Sequence, residues 1–543
     1  MLLRLDPGSC RPKLPLHGSA ASRAIEQAAL ARLPPHQLMQ RAAGSVAALA
    51  RALQPHARHV WLACGPGNNG GDGLLAAALL RTQLPQTRLT VSWQGDEARL
   101  PDDARYALQQ ARAAGLEFSD RPPKDFDLGI DALLGLGGRG LGPGPMADWM
   151  LALQQTRATV LCVDLPSGLE CDSGAWRNPF EARPMGPRHT LSLLTLKPGL
   201  FTADGRDAAG QVWLDRLGVA ADQLAPDAWL NAPDTDPGPT RQQCHGAHKG
   251  SHGDLLVLGG QDVSVDGNGM SGAALLAARA GLQAGAGRVY LGLLGAGPAT
   301  PALDLLWPEL MFRPAQASAE GELARQATTV CGCGGGQSVR AVLPALLEQS
   351  PRLVLDADAL NALAQQADWR AQLSRRLARG QHSILTPHPL EAARLLGCNS
   401  AQVQADRLQA ARQLAQQFQS VVVLKGSGSV IAAPGQIPFI NATGNALLAT
   451  AGTGDVLAGM VGAYWTQTAR PCRPDQMPAA MPQPSPDGGL NGSLNGSLGD
   501  GLEIALQATC RAVHQHGALA DRWPSGRGLR AGDLLAGLTP WPG

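Results

Sequence analysis

Short apolar runs alternate with Ala-, Leu- and Gln-rich stretches twice along this chain, and no other feature of the sequence restricts the fold as much. The first series contains HVWLACG (59–65), RLTVSW (88–93), FDLGIDALLG (126–135) and ATVLCVDLP (158–166). The second contains DLLVLGG (254–260), RVYLGLL (288–294), RLVLDADAL (352–360), HSILTPH (382–388) and SVVVLKG (420–426). Continuous apolar runs bounded by Gly or Pro read as strands covered on both faces. The stretches between them, such as residues 401–418, read as helices. This alternation predicts α/β layers around largely parallel sheets, one in each half. Ligands of such sheets sit beyond the carboxyl ends of the strands, so the loops that follow the strands carry the functional information.

At 543 residues the chain is too long for one ordinary core. Residues 226–244, rich in Pro, Asp and Gly, break every apolar pattern and are expected to link a first domain over 1–225 to a second over 245–543. Residues 470–501 combine PCRPDQMPAAMPQPSPDGG with the near-repeat LNGSLNGSLGDG and are expected to form a flexible insertion. The 45 basic and 44 acidic residues leave a formal charge of +1, which offers no electrostatic footprint for nucleic acid or an anionic membrane. No run approaches the ~18 apolar residues of a membrane span, and the apolar run at the N-terminus is too short for a signal-peptide core. The 10 Cys are scattered without metal-like spacing, which fits a reduced compartment, so a cytoplasmic protein is expected.

In the first half, GPGNNGGDG follows the strand run at 59–65. Glycines in a strand-to-helix turn let backbone N–H groups approach an anion, and Asn68, Asn69 and Asp72 add polar side chains within the same turn. A capped tight turn would explain part of this run but not its length. Asp131 lies at a second strand end, and Asp164 opens DLPSGL at a third. A carboxylate there serves either as a helix cap or as a site residue. Asn69, Asp131 and Ser167 offer oxygen ligands only, which suits a hard cation without identifying it.

In the second half, AGTGD precedes a strongly apolar helical run. Gly452, Thr453 and Gly454 put N–H groups at a helix start, where the dipole favours phosphate. Asp455 in that first turn either stabilises the helix or acts as a general base toward a hydroxyl attacking phosphate. Upstream, Lys425 with Gly426, Ser427, Gly428 and Ser429 forms either a plain hairpin turn or a nucleotide-holding loop. His388 is bracketed by prolines, VCGCGGGQS (330–338) is another glycine-rich strand end, and Asp356 and Asp358 follow RLVL.

The motifs GPGNNGGDG, DALLGLG, VDLPSGLECDSG and TLSLLTLKPGL, in this order over about residues 20–220, resemble the epimerase domain of the NAD(P)H-hydrate repair enzymes. HKGSHGDLLVLGG, VLDADALNAL, TPHPLEAARLLG, VLKGSGSVI and the AGTGD segment, over about 245–535, resemble the ADP-dependent dehydratase domain of the same enzymes. The resemblance implies a Rossmann-like three-layer domain followed by a ribokinase-like one. It implies interconversion of R and S hydrates (NADHX and NADPHX), then dehydration of the S epimer to NADH or NADPH with ADP converted to AMP and phosphate. It places hydrate on Asn68, Asn69, Gly70, Gly71, Asp72, Gly135, Leu136, Gly137, Gly138, Arg139, Gly140, Leu141 and Asp164, and potassium on Asn69, Asp131 and Ser167. In the second domain it places hydrate on Ala273, Gly334, His388 and Asp455, and nucleotide on Lys425, Gly426, Ser427, Gly428, Ser429 and Gly454. Asp164 and Asp455 are the expected proton-transfer groups, and magnesium is expected to balance phosphate charge. The implied partners are small molecules, in a homo-oligomer. Gln40, Leu390 and Cys333 stand where the family usually has Glu, Gly and Pro, and Leu390 is expected to crowd the His388 loop. A kinase of the same fold acting on a small alcohol, and a non-enzymatic nucleotide sensor, are the alternatives. The Asn-rich glycine loop and HKGSHGD have no reason to occur in the former.

Overall fold

The computed structural model describes residues 2–6, 14–137, 140, 142–220, 224–232, 248–266, 269–295, 302–468 and 494–540. The chain divides into two compact units, one built on Pro15–Trp229 and the other from Leu230 onward.

The first unit is built on a sheet whose strands lie in the order Leu3–Arg4, Gln211–Asp215, Arg188–Leu193, Thr159–Val163, Leu128–Ala132, His59–Cys64, Arg88–Trp93, Glu117–Phe118. All neighbours run parallel except the Leu3–Arg4 edge. Successive side chains of a strand face opposite ways, and His59–Cys64 uses both faces. Val60, Leu62 and Cys64 pack with the helices Gln37–Leu53, Asn68–Gln83 and Asp102–Ala113, while Trp61 and Ala63 pack with Pro145–Gln155. The result is the three-layer α/β arrangement. The chain winds from His59–Cys64 toward one edge, then returns to Leu128–Ala132 and winds toward the other. The crevice between those two strands is therefore the topological switch point, where such sheets bind ligands.

The second unit repeats the logic. Its sheet runs in the order Met311–Phe312, Arg288–Leu293, Asp254–Gly259, Thr328–Cys331, Arg352–Leu355, His382–Leu385, Val421–Leu424, Val430–Ala432, Phe439–Asn441. It is parallel up to Val421–Leu424 and antiparallel beyond. Its switch point lies between Asp254–Gly259 and Thr328–Cys331. The helices Ser271–Gln283 and Thr453–Thr468 share its core and pack closely, because a Cβ at Gly459 would stand 2.1 Å from the carbonyl oxygen of Ala277.

Several expectations need correction. The run 352–360 is not one strand: it ends at Leu355, Asp356 stands at the N-cap, and Ala357–Gln365 is helical. The helix expected over 401–418 is two, Ser400–Ala405 and Arg407–Phe418, with Asp406 capping the second through the N–H of Gln409. The expected linker begins with an ordered strand, Ala228–Asn231, and residues 233–247 lie outside the described residues. Most of the expected insertion, 470–493, also lies outside them, but residues 494–501 belong to the helix Leu494–Asp521. No helix among the described residues is long and apolar enough to cross a membrane.

Candidate functional sites

In the first unit the glycine loop is tied to the neighbouring strand end by the Gly65 N–H, which donates to Ala132 O at 3.0 Å. A Cβ at Gly70 would stand 2.0 Å from the carbonyl oxygen of Gly65, so the helix Asn68–Gln83 starts at an approach only glycine allows. Gly70→Ala should lower stability by about 1–3 kcal/mol, read as an earlier midpoint in urea unfolding; an unchanged midpoint would mean the loop has room to move.

A cleft of roughly 400 Å³ opens at this switch point. Of the residues the resemblance places on the hydrate, Asn68, Asn69, Asp72, Gly135, Leu136, Gly137 and Asp164 line it, whereas Gly70, Gly71 and Gly140 are not among its lining. Gly138, Arg139 and Leu141 lie outside the described residues. The sequence did not single out Glu26, which enters the cleft from the helix Ser19–Leu30. Burial raises the pKa of Asp72 well above the usual carboxylate range, and the charges of Asp164, Glu26 and Asp103 add to it. Burial, with Asp164 adding, raises Glu26 as well.

Asp164 occupies a left-handed backbone position, φ 67°, in a three-residue turn closed by the Leu165 N–H on Val163 O at 2.8 Å. Its Oδ1 accepts from the Leu193 N–H at 3.1 Å and from the ammonium of Lys197. Lys197 is only 1% exposed and is a second residue the sequence did not single out. Beside this pair, Asp131 is buried and binds Ser167 twice: Oδ1 accepts the hydroxyl at 2.5 Å and Oδ2 the N–H at 2.9 Å. Ser167 Oγ accepts from the Leu134 N–H at 2.9 Å. Asn69 packs on Gly135 and has a buried amide end with no hydrogen-bond partner. Gln40, the first departure, donates to the Tyr106 hydroxyl at 3.3 Å.

In the second unit the two switch-point loops are stitched together. The N–H groups of Gly260 and Gln261 donate to Cys333 O at 2.9 Å and Gly334 O at 2.6 Å. Gly334 has φ 59°, and a Cβ there would lie 2.8 Å from that of Ala273, so these two expected site residues touch. Cys333 Sγ and carboxylate oxygens of Asp356 and Asp455 lie within 4.8 Å of one another. Lys425 Nζ donates to Asp356 Oδ1 at 2.7 Å, as does the Thr386 hydroxyl at 2.7 Å. Burial works against the Lys425 charge, but Asp356 and Glu391 outweigh it and hold the ammonium above its usual range. The same ammonium stands over the Asp455 helix, because a Cβ at Gly454 would lie 3.5 Å from Nζ.

That helix, Thr453–Thr468, starts open to solvent: Thr450 and Ala451 are exposed, and Gly452, Gly454 and Asp455 are half-buried. First-turn N–H groups have no preceding turn to donate to and remain available to an anion. Burial pushes Asp455 up to about 6, and Asp356 adds to the shift. Beneath the helix start the buried His516 holds Thr453 O at 2.9 Å, and burial pushes it down to about 4.

His388 caps the helix Pro389–Leu396, its Nδ1 accepting from the N–H groups of Leu390 and Glu391 at 3.1 and 3.3 Å. Its own N–H donates to Glu391 Oε2 at 2.8 Å. Burial lowers the His388 pKa, which keeps Nδ1 an acceptor, and burial pushes Glu391 up to about 7. Leu390, at the first turn of that helix, is 46% exposed beside His388. The Lys425–Ser429 turn joins two antiparallel strands, so it is a hairpin as well as a candidate loop. Its base is fixed by Lys425 N–H on Pro387 O at 2.9 Å and by buried Arg407, which donates to Leu424 O at 3.1 Å and was not foreseen. Gly426 and Ser427 are exposed, Ser429 half-buried and Gly428 buried.

Comparison with known proteins matches both units. The family described as YjeF-related protein N-terminus matches residues 35–199, and the family described as NAD(P)H-hydrate dehydratase matches 255–483. A bifunctional NAD(P)H-hydrate repair enzyme of Escherichia coli is 35% identical over 452 residues, covering 80% of this chain and 82% of its own. That of Coxiella burnetii is 33% identical, covering 80% and 86%. An ADP-dependent (S)-NAD(P)H-hydrate dehydratase of Neisseria meningitidis is 36% identical, over 54% of this chain and 85% of its own. A solved ADP/ATP-dependent NAD(P)H-hydrate dehydratase of Bacillus subtilis, co-crystallised with ATP and Mg2+, aligns with 54% of this chain and 90% of its own at 27% identity and a TM-score of 0.40.

Proposed function

The chain belongs to the bifunctional NAD(P)H-hydrate repair enzymes, and from that premise we propose that its first unit interconverts the R and S hydrates at the Asp164 cleft while its second dehydrates the S hydrate at the Asp455 helix. The observation that carries the reading is the convergence at that helix start of first-turn amides, the Lys425 ammonium over Gly454, and a carboxylate raised to about 6. A helix start with a lysine above it suits the phosphates of ADP. Asp455 takes the proton of the ring hydroxyl as its oxygen attacks the β-phosphorus of ADP. The bond from that phosphorus to the bridging oxygen breaks and AMP leaves. Loss of the new phosphate from ring carbon and of a proton from its neighbour restores the double bond. The balance is ADP and hydrate in, AMP, phosphate and NADH or NADPH out. Ala273, Gly334 and His388 border the hydrate, and Lys425 to Ser429 with Gly454 border the nucleotide.

Both expected cations suit residues that are present. Magnesium prefers one or two carboxylates plus phosphate oxygens; Asp356 would hold it, and the neighbouring Cys333 thiol would not. When bound it supplies neutralisation of phosphate charge. Potassium would be held by Asn69, Asp131 and Ser167. The buried Asn69 Nδ2 has no hydrogen-bond partner among the described residues, and a half-turn of the amide, which leaves its shape unchanged, would present Oδ1 there to a cation. When bound, potassium supplies local positive charge to the dinucleotide. We further propose that the protein works in the cytoplasm as a homo-oligomer, with domains over 1–225 and 245–543.

The test is a time course with mixed hydrate epimers, ADP and Mg2+, following absorbance of the reduced nicotinamide. Two phases are expected, the slower set by epimerisation; no recovery of reduced nicotinamide would sink the reading, and phosphoryl transfer to an added small alcohol in its place would favour the kinase alternative. The pH profile follows from Asp455. A base is lost as pH falls through its pKa, so turnover of the S hydrate should be half-maximal near pH about 6 and fall about tenfold per unit below that. A profile flat down to pH about 4, the ordinary carboxylate value, would mean burial does not act on the catalytic base.

A further inference from the structure

The cleft of the first unit presents several carboxylates, yet only Asp164 has a buried ammonium against it. Lys197 reaches it from the turn after Arg188–Leu193 and is itself closed off from solvent. An ammonium has three protons to donate, and this one has three acceptors: Asp164 Oδ1, Leu193 O at 2.8 Å and Ser192 Oγ at 3.3 Å. Asp164 and Leu193 belong to the cleft lining, whereas Ser192 and Lys197 do not. Oδ1 of Asp164 also takes the Leu193 N–H at 3.1 Å. One carboxylate oxygen is thus tied twice to the wall, while Oδ2 takes no hydrogen bond among the described residues and Asp164 lines the cleft. The backbone is fixed with equal care. Asp164 and Leu194 both have left-handed φ values, 67° and 63°, and each lies at the centre of a three-residue turn, Leu165 N–H on Val163 O at 2.8 Å and Thr195 N–H on Leu193 O at 2.7 Å. Positions of this kind persist only where the surroundings over-determine them, and the lysine bridges the two turns.

We propose that Lys197 is a positioning residue for epimerisation, which anchors Asp164 Oδ1 and thereby aims Oδ2 at the hydrate. The inference rests on the reading of Asp164 as the proton-transfer group. Lys197 lies too deep to meet substrate, so its effect must pass through Asp164. Inversion at a hydroxyl-bearing carbon needs a proton moved to or from one face with the reacting atom in hydrogen-bond reach. A carboxylate free to rotate about its side chain loses that aim while still occupying the cleft wall.

A double-mutant cycle tests this, with the full-length protein, purified R hydrate and the coupled assay above. Lys197→Met should lower kcat for epimerisation by at least about 30-fold while KM stays within about threefold, and should change the rate by less than about twofold once Asp164 is already Asn. Loss of a buried partner lowers the melting temperature under either role, so the discriminating result is the cycle: a merely structural role would multiply the loss equally in both backgrounds, measured where each variant is folded. If Lys197→Met does not fold, the cycle is run with Lys197→Arg, which keeps the charge and should show a smaller loss with the same non-additivity. A wild-type rate in the folded Lys197 variant beside a slow Asp164→Asn overturns the proposal alone, as does equal loss in both backgrounds. A wild-type rate in Asp164→Asn overturns the underlying reading and this proposal with it.

Discussion

Asp455→Asn should leave the protein folded and lower dehydration of the S hydrate by about 10²–10⁴-fold, the usual contribution of a positioned general base. The substitution separates chemistry from folding unusually well. An acid in the first turn of a helix stabilises it by about 0.3–1 kcal/mol. Against that, burial holds the Asp455 carboxyl at about 6, which means that ionising it at neutral pH costs the folded state free energy. Asn removes the favourable and the unfavourable terms together and keeps the shape. The melting temperature should therefore stay put or rise slightly while turnover vanishes. The nucleotide should still protect the protein against heating, because the Gly454 amides and Lys425 are untouched. The first unit serves as an internal control: R and S hydrates should equilibrate at the wild-type rate. Retained dehydration in this variant would remove Asp455 from the mechanism and leave its raised pKa as a consequence of burial alone.

The layers of both units were legible from apolar runs, because parallel strands covered on both faces leave continuous signatures such as Val421–Leu424. The glycine-rich loops at the two strand ends were legible too, and the backbone geometry requires glycine there at Gly70 and Gly334; that they flank switch points came from the strand order. Boundaries failed where a polar residue changed the backbone's course. Asp356 reads as part of a strand run until its N-cap position is seen, and Asp406 splits a helix that periodicity alone would keep whole. What stayed hidden was the set of residues that act across the fold. Lys197 lies in TLSLLTLKPGL, and a lysine among leucines gave a signal that could have been followed, since a charge buried there needs a partner. Glu26 and Arg407 gave none: each sits on an ordinary amphipathic helix, and only the tertiary structure brings one to the cleft and the other under the hairpin. The proline brackets of His388 left its role open and the family resemblance placed it on the hydrate; the structure gives it a cap role at the same place.

Asp164→Asn should slow use of the R hydrate by about 10²–10⁴-fold and spare the S hydrate, so that recovery of reduced nicotinamide from mixed epimers stops near the S fraction. Asn tolerates the left-handed backbone better than most residues, so the turn at φ 67° should survive. The harder question is Lys197, which keeps its charge while its counter-charge is gone. Removing one partner of a buried pair costs about 3–5 kcal/mol, and Lys197 is almost wholly enclosed. The first unit should therefore melt earlier, and a loss of activity could be mistaken for unfolding. The two effects separate by temperature. A destabilised but competent site regains its rate when assayed well below the melting transition, whereas loss of the proton-transfer group persists at every temperature where the unit is folded. Spontaneous epimerisation, measured without protein, sets the floor. An Asp164→Asn protein that consumes both hydrates at wild-type rates in the cold would take the proton-transfer role away from Asp164, and the raised carboxyls of Asp72 and Glu26 on the same cleft would be the next candidates.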